Sequence, residues 1–125
     1  MKKIINTTNA PAPIGPYSQA VMVGNMLYTS GQIAIDPKTN ELVTSEIKAE
    51  TKVVMENLKA LLSEAGMDFS HVIKSTIFIS NMNDFAKINE VYGSYFLSNF
   101  PARETVQVAC LPKNVNVEIS VIATK

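Results

Sequence analysis

Ile47, Thr51, Val54, Met55, Leu58, Leu61, Leu62 and Ala65 fall on one stripe at helical spacing. A stripe of that length has to be buried against a second layer of structure, and this constrains the fold more than any other part of the chain. Thr44 or Ser45 can cap the start of the helix, Glu46 suits its first turn, and Gly66 can end it. A second helix is predicted after Asn81 or Asn83, with Phe85, Ile88, Tyr92, Tyr95 and Phe96 as its stripe. Asn99-Phe100-Pro101 closes that helix. The other segments have strand character: Lys3 to Asn6, Ala20 to Val23, Met26 to Ser30, Val72 to Ser80, and two strands after Pro101. Gly24-Asn25 is a two-residue hairpin signal, Asp36 to Asn40 a turn, and the proline-rich Ala10 to Pro16 a structured loop.

The expected organisation is α+β, a single domain over residues 1–125, with two helices on one face of a sheet. The opposite face carries Lys74 or Ser75, Thr105, Gln107, Asn116, Glu118 and Ser120. That mixture is too polar for a second core. It suits either water or a wet subunit interface.

Eleven basic and eleven acidic residues leave no net charge, so no overall field draws the chain to nucleic acid or anionic lipid. One cysteine excludes an internal disulfide, and one cysteine with one histidine leaves no zinc-type ligand set. Met1 to Ile5 starts like a signal peptide, but Asn6-Thr7-Thr8-Asn9 stops the apolar run. No segment approaches a membrane span. These features lead us to expect a cytoplasmic protein. Cys110 is expected to be a small buried hydrophobe, and His71 a surface residue at a strand entry.

Arg103 is the sole arginine; the other basic residues are all lysines. Its planar fork can grip a carboxylate through two parallel hydrogen bonds, which a lysine cannot do. Side-chain alternation sets Arg103, Thr105 and Gln107 on one face of their strand and Val106, Val108 and Cys110 on the other. In the last strand Glu118 and Ser120 oppose Val117, Ile119 and Val121. If the two strands pair as a hairpin across Pro112-Lys113-Asn114, Arg103 and Glu118 meet on one polar face. The pair is then either a surface salt bridge or part of a ligand site. Asn89, at the edge of the second helical stripe, can tie that helix to a strand or line a pocket. Tyr17 can be a packing aromatic, and Ser30-Gly31 a turn serine and a glycine needed for its backbone conformation.

Four blocks resemble the RidA (YjgF-type) reactive-intermediate deaminases. They are Ile14-Gly15-Pro16-Tyr17-Ser18-Gln19-Ala20; Tyr28-Thr29-Ser30-Gly31-Gln32-Ile33; Asn83-Asp84-Phe85 with Ile88-Asn89-Glu90-Val91-Tyr92; and Pro101-Ala102-Arg103 with Leu111-Pro112-Lys113 and Val117-Glu118-Ile119. The blocks are in the family's order and spacing from about residue 10 to the end. The resemblance implies the chorismate-mutase-like (YjgF) fold, a mixed β-sheet with two helices packed on one face. It also implies a homotrimer with active sites between subunits, no cofactor, and an imino acid substrate.

By resemblance, Arg103 would clamp the carboxylate of 2-iminobutanoate or 2-iminopropanoate, and Glu118 would relay a proton for the attacking water. Tyr17, Ser30, Gly31, Asn89 and the backbone at Thr105 would complete the substrate pocket. The family commonly has a small residue and then cysteine after the arginine, where this chain has Glu104 and Thr105. Glu104 has the opposite parity to Arg103 and should point away from it. Rid homologues have also been described as translation inhibitors or ribonucleases. The rival readings are therefore an RNA-directed protein and a non-catalytic ligand-binding trimer. A ribonuclease would need phosphate-binding cations and a histidine pair or metal, which this composition does not supply.

Overall fold

A computed structural model describes residues 1–125. Its six strands form one sheet: β1 (Lys2–Ile5), β2 (Ala20–Val23), β3 (Met26–Thr29), β4 (Val72–Ile79), β5 (Ala102–Gln107) and β6 (Val117–Thr124). Two helices, α1 (Ile47–Glu64) and α2 (Phe85–Gly93), join it in an α+β arrangement. The strand order is β1-β2-β3-β6-β4-β5. All neighbours are antiparallel except β4 and β5, which run parallel because α2 carries the chain back between them.

Helix α1 starts one residue later than a Ser45 cap predicts and two later than a Thr44 cap. Glu46 itself is the N-cap, its carboxylate accepting from the Lys48 and Ala49 amides at 3.0 and 2.8 Å. At the other end Gly66 takes φ 73°, and the Met67 amide reaches back to the Leu62 carbonyl, a glycine-terminated stop. The α1 stripe is buried: Val54, Met55, Leu58 and Leu62 pack against Leu27, Ile77, Ile119, Val121 and Ala123 from one face of the sheet. Helix α2 is shorter than its stripe implies and ends at Gly93. Ser94 Oγ bonds back to the Val91 carbonyl (2.6 Å), and Tyr95 and Phe96 continue onto the same core from beyond the helix.

The predicted hairpin between the last two strands does not form, because β6 lies between β3 and β4 and β5 lies on the outer edge. Burial explains the exchange. Val117, Ile119, Val121 and Ala123 give β6 a fully apolar face that a central position buries, whereas β5 is exposed along most of its length and tolerates an edge. The Val108–Asn116 connection carries the chain past β4, with Lys113 and Asn114 in left-handed turn conformation (φ 56° each). A bulge between Val72 and Lys74 turns Ile73 outward and sets the parity of β4: Ser75, Ile77 and Ile79 face the helices, and Lys74, Thr76 and Phe78 face away.

One further expectation is corrected. Cys110 is exposed, because β5 stops at Gln107 and the parity read as apolar faces away from the helices. His71 stands partly exposed at the entry to β4, where its Nδ1 accepts from the Asp68 amide (3.0 Å) and so caps the turn. No helix is long and apolar enough to cross a membrane.

Candidate active site

The sheet register settles the relation between Arg103 and Glu118. Arg103 pairs with Ser75 and therefore lies on the helix side, while Glu118 pairs with Phe78 on the opposite side. The expected shared face is absent: the two residues are separated by β4 and by the plane of the sheet. Thr105 pairs with Ile77 and Gln107 with Ile79, so these also lie on the helix side. The bare face instead carries Lys74, Thr76, Phe78, Glu104, Val106, Glu118 and Ser120. Glu104 points away from Arg103, as its parity predicts, and meets Lys74 Nζ at 3.4 Å.

The candidate residues thus form two groups. One surrounds Glu118, where Tyr17, Ser30, Gly31 and Glu118 line an open pocket of about 300 Å³ with Ile14, Ile33 and Pro112. The loop carrying Tyr17 is held by the buried Gln19 side chain. Its oxygen accepts from the Thr7 amide, and its nitrogen donates to the Thr7, Ala10 and Pro11 carbonyls. Tyr17 Oη accepts from the Ile14 amide at 3.2 Å. Ser30 Oγ donates to the Ser18 carbonyl at 2.6 Å, so this hydroxyl anchors the loop.

Gly31 is required for space, not for backbone conformation, since its φ is not in the left-handed region. A Cβ there would come 2.7 Å from Glu118 Cδ and 2.9 Å from Oε1. Glu118 is half-buried and joins none of the ion pairs in the chain. Burial pushes its carboxyl above the ordinary carboxylate range. A carboxyl of this kind exchanges protons closer to neutrality than an exposed glutamate does.

The second group is built around Arg103. Its Nη1 donates to Asn89 Oδ1 at 2.6 Å, and its Cζ lies 5.6 and 5.3 Å from the ring centroids of Phe85 and Tyr92. Asn89 therefore does tie helix to strand, and it does so through the arginine. No carboxylate pairs with Arg103, so the rest of its fork is open. The Val108 amide donates to Ile79 O on β4. Peptide groups alternate in direction along a strand, so those of Arg103 and Thr105 face the free edge of β5. The Thr105 hydroxyl points inward and is buried without a partner.

Sequence reasoning missed Phe85 and Tyr92, which it assigned only to the core stripe. Their spacing with Asn89, four and then three residues apart on one helix face, is a signal that was available. The lone arginine was its natural partner.

The chain belongs to the YjgF/RidA family: the family model described as Endoribonuclease L-PSP matches residues 7–125. It is 55% identical over 125 residues to a RutC family protein of Pyrococcus horikoshii, covering 100% of this chain and 99% of that protein. It is 46% identical over 123 residues to the 2-iminobutanoate/2-iminopropanoate deaminase of Homo sapiens, covering 98% of this chain and 90% of the relative. The crystal structure of the YjgF gene product of E. coli superimposes with a TM-score of 0.94 at 44% identity, covering 98% of each chain.

Proposed function

We propose that this chain is a hydrolytic deaminase that converts 2-iminobutanoate and 2-iminopropanoate to the 2-oxo acid and ammonia. The observation that carries the reading is Glu118, a half-buried carboxyl at the wall of an open pocket that pairs with no cation of its own chain and has its proton affinity raised by burial. The resemblance to named imine deaminases in mammals supports the same substrate class.

In this reading Arg103 grips the substrate carboxylate with the part of its fork that Asn89 leaves free, and the outward Thr105 amide adds a neutral donor. A bound water attacks the carbon of the protonated imine, and Glu118 takes its proton as the new C–O bond forms and the nitrogen becomes a neutral amine. Glu118 gives that proton to the amine, which lets the C–N bond break. The hydroxyl proton passes to Glu118 as the carbonyl forms, leaving the 2-oxo acid and free ammonia. The imine carbon is already electrophilic, so positioning and proton transfer suffice and no cofactor is part of the proposal.

Arg103 and Glu118 lie on opposite faces of one chain, so a site using both needs two copies. We accordingly propose a homotrimer in which Glu118 of one subunit faces Arg103 of the next, with the bare sheet face turned toward the three-fold axis. A cytoplasmic location belongs to the same proposal. The rival ribonuclease reading would need an acid–base histidine, and His71 is committed to capping Asp68. The test is to couple the purified protein to a threonine dehydratase and follow 2-oxobutanoate release. Release no faster than the uncatalysed rate rejects the enzyme and leaves a ligand-binding protein.

A further inference from the structure

Arg103 is exposed on an edge strand, where a long cationic side chain would ordinarily sample many rotamers. Here it meets a set of groups that leaves it little freedom. Phe85, Asn89 and Tyr92 lie on one face of α2, and two of the three present rings to the guanidinium. Both ring centroids are within the distance of about 6 Å at which a cation is attracted to an aromatic face. The third residue takes one N–H of the fork.

Tyr92 is itself fixed. It is 4% exposed, and its hydroxyl donates at 2.8 Å to Ser75 Oγ, which is fully buried. Burial pushes the Tyr92 phenol up, so it keeps the proton this bond needs. Ser75 is also the residue of β4 paired in register with Arg103. The contacts therefore close into a ring: Arg103 against Tyr92, Tyr92 bonded to Ser75, and Ser75 beside Arg103 on the sheet.

We propose that Phe85 and Tyr92, with Ser75 holding Tyr92 in place, are positioning residues that orient the Arg103 guanidinium before substrate arrives. The functional consequence rests on reading Arg103 as the carboxylate clamp. The rings occupy none of the five N–H donors, so they hold the group while leaving its fork available. A substrate carboxylate then meets an already oriented partner, and the cost of ordering the side chain is met in folding. Loss of a ring should weaken carboxylate binding more than it slows the chemical step, because Glu118 and the water lie elsewhere.

Because the chain has a single arginine, its Nε–Hε group gives one assignable signal in a nitrogen–proton NMR spectrum. In the wild type that signal should be displaced by ring currents. Phe85→Leu should move it toward the free-arginine position and raise both KM and the Kd for 2-oxobutanoate roughly 10-fold, with kcat changed by less than about 3-fold. Phe85→Tyr, which restores a ring, should restore the shift and the affinity, separating positioning from a general packing defect. A wild-type signal at the free-arginine position, or one unaffected by Phe85→Leu, would overturn the proposal. So would a Phe85→Leu enzyme whose loss is confined to kcat. A displaced signal in a protein that neither binds 2-oxobutanoate nor hydrolyses imine supports the cradle and rejects the carboxylate-clamp reading.

Discussion

The carboxyl group of Glu118 lies directly over Gly31, so close that a Cβ on residue 31 would approach its Cδ to 2.7 Å. No real side chain keeps that distance, so in Gly31→Ala the carboxyl must move. The glycine takes no special φ and is exposed, which means the substitution costs the fold little. We expect a folded variant with an unchanged thermal midpoint and a kcat lower by ~10²-fold, the scale on which a displaced proton-transfer group acts. Circular dichroism and coupled dehydratase kinetics measure both. Wild-type kinetics would show that the position of Glu118 over Gly31 is immaterial.

The raised proton affinity of Glu118 has a defined sign. Burial disfavours its charged form, so the folded protein holds the proton above the ordinary value of 4.5. Its contribution to stability is complete below 4.5 and is lost as pH rises through the higher folded value. Glu118→Gln should therefore be more stable than the wild type at pH 8, with the gap closing in acid. Urea unfolding at both ends of that range reads it. The same variant should lose ~10²–10⁴-fold in kcat. In the wild type the acid limb of the rate profile should lie above the usual carboxylate range, and the variant should lack it. A gap of the opposite sign would mean that Glu118 is stabilised as an anion.

Arg103 should not tolerate lysine. Arg103→Lys keeps the charge but replaces a fork with a point contact, and it does not reproduce the delocalised cation that lies 5.6 and 5.3 Å from the Phe85 and Tyr92 ring centroids. A charged hydrogen bond lost from the clamp corresponds to about 10–100-fold in kcat/KM. Arg103→Ala should fall further while remaining folded, since the side chain is exposed. Near wild-type rates in the lysine variant would mean that charge alone binds the substrate.

Thr105 carries a buried hydroxyl without a hydrogen-bond partner. Thr105→Val keeps the shape and removes the unsatisfied oxygen, so the chain should gain ~1 kcal/mol in denaturant unfolding. The Thr105 amide faces the strand edge and is retained, so imine hydrolysis should persist. A loss of stability would show that the hydroxyl has a partner in the assembled protein.

Subunit complementation tests the shared site. Arg103→Ala and Glu118→Gln homotrimers should both be inactive. After unfolding and refolding together, about a quarter of sites would combine an intact arginine from one subunit with an intact glutamate from its neighbour. Recovery of activity on mixing is the expected result. Light scattering at three chain masses with no recovery would show that Arg103 and Glu118 do not act in one shared site, and a single chain mass would remove the trimer.

The amino-acid pattern alone determined the α1 stripe, its stop at Gly66, the Gly24-Asn25 hairpin and the alternation along β5 and β6, because these depend on neighbours a few residues away; the bulge that fixes the parity of β4 was not legible. It also marked Arg103 and Glu118, since a lone arginine and an acid amid valines and isoleucines stand out without any coordinates. Strand order was not legible. A hairpin between β5 and β6 satisfied every local rule, and only competition for burial across the whole sheet moved apolar β6 inward and polar β5 to the edge. That one exchange put Arg103 and Glu118 on opposite faces, exposed Cys110 and turned Arg103 toward Phe85 and Tyr92. Parity along a strand is a local property, but which parity faces the helices depends on what lies on the far side of the sheet.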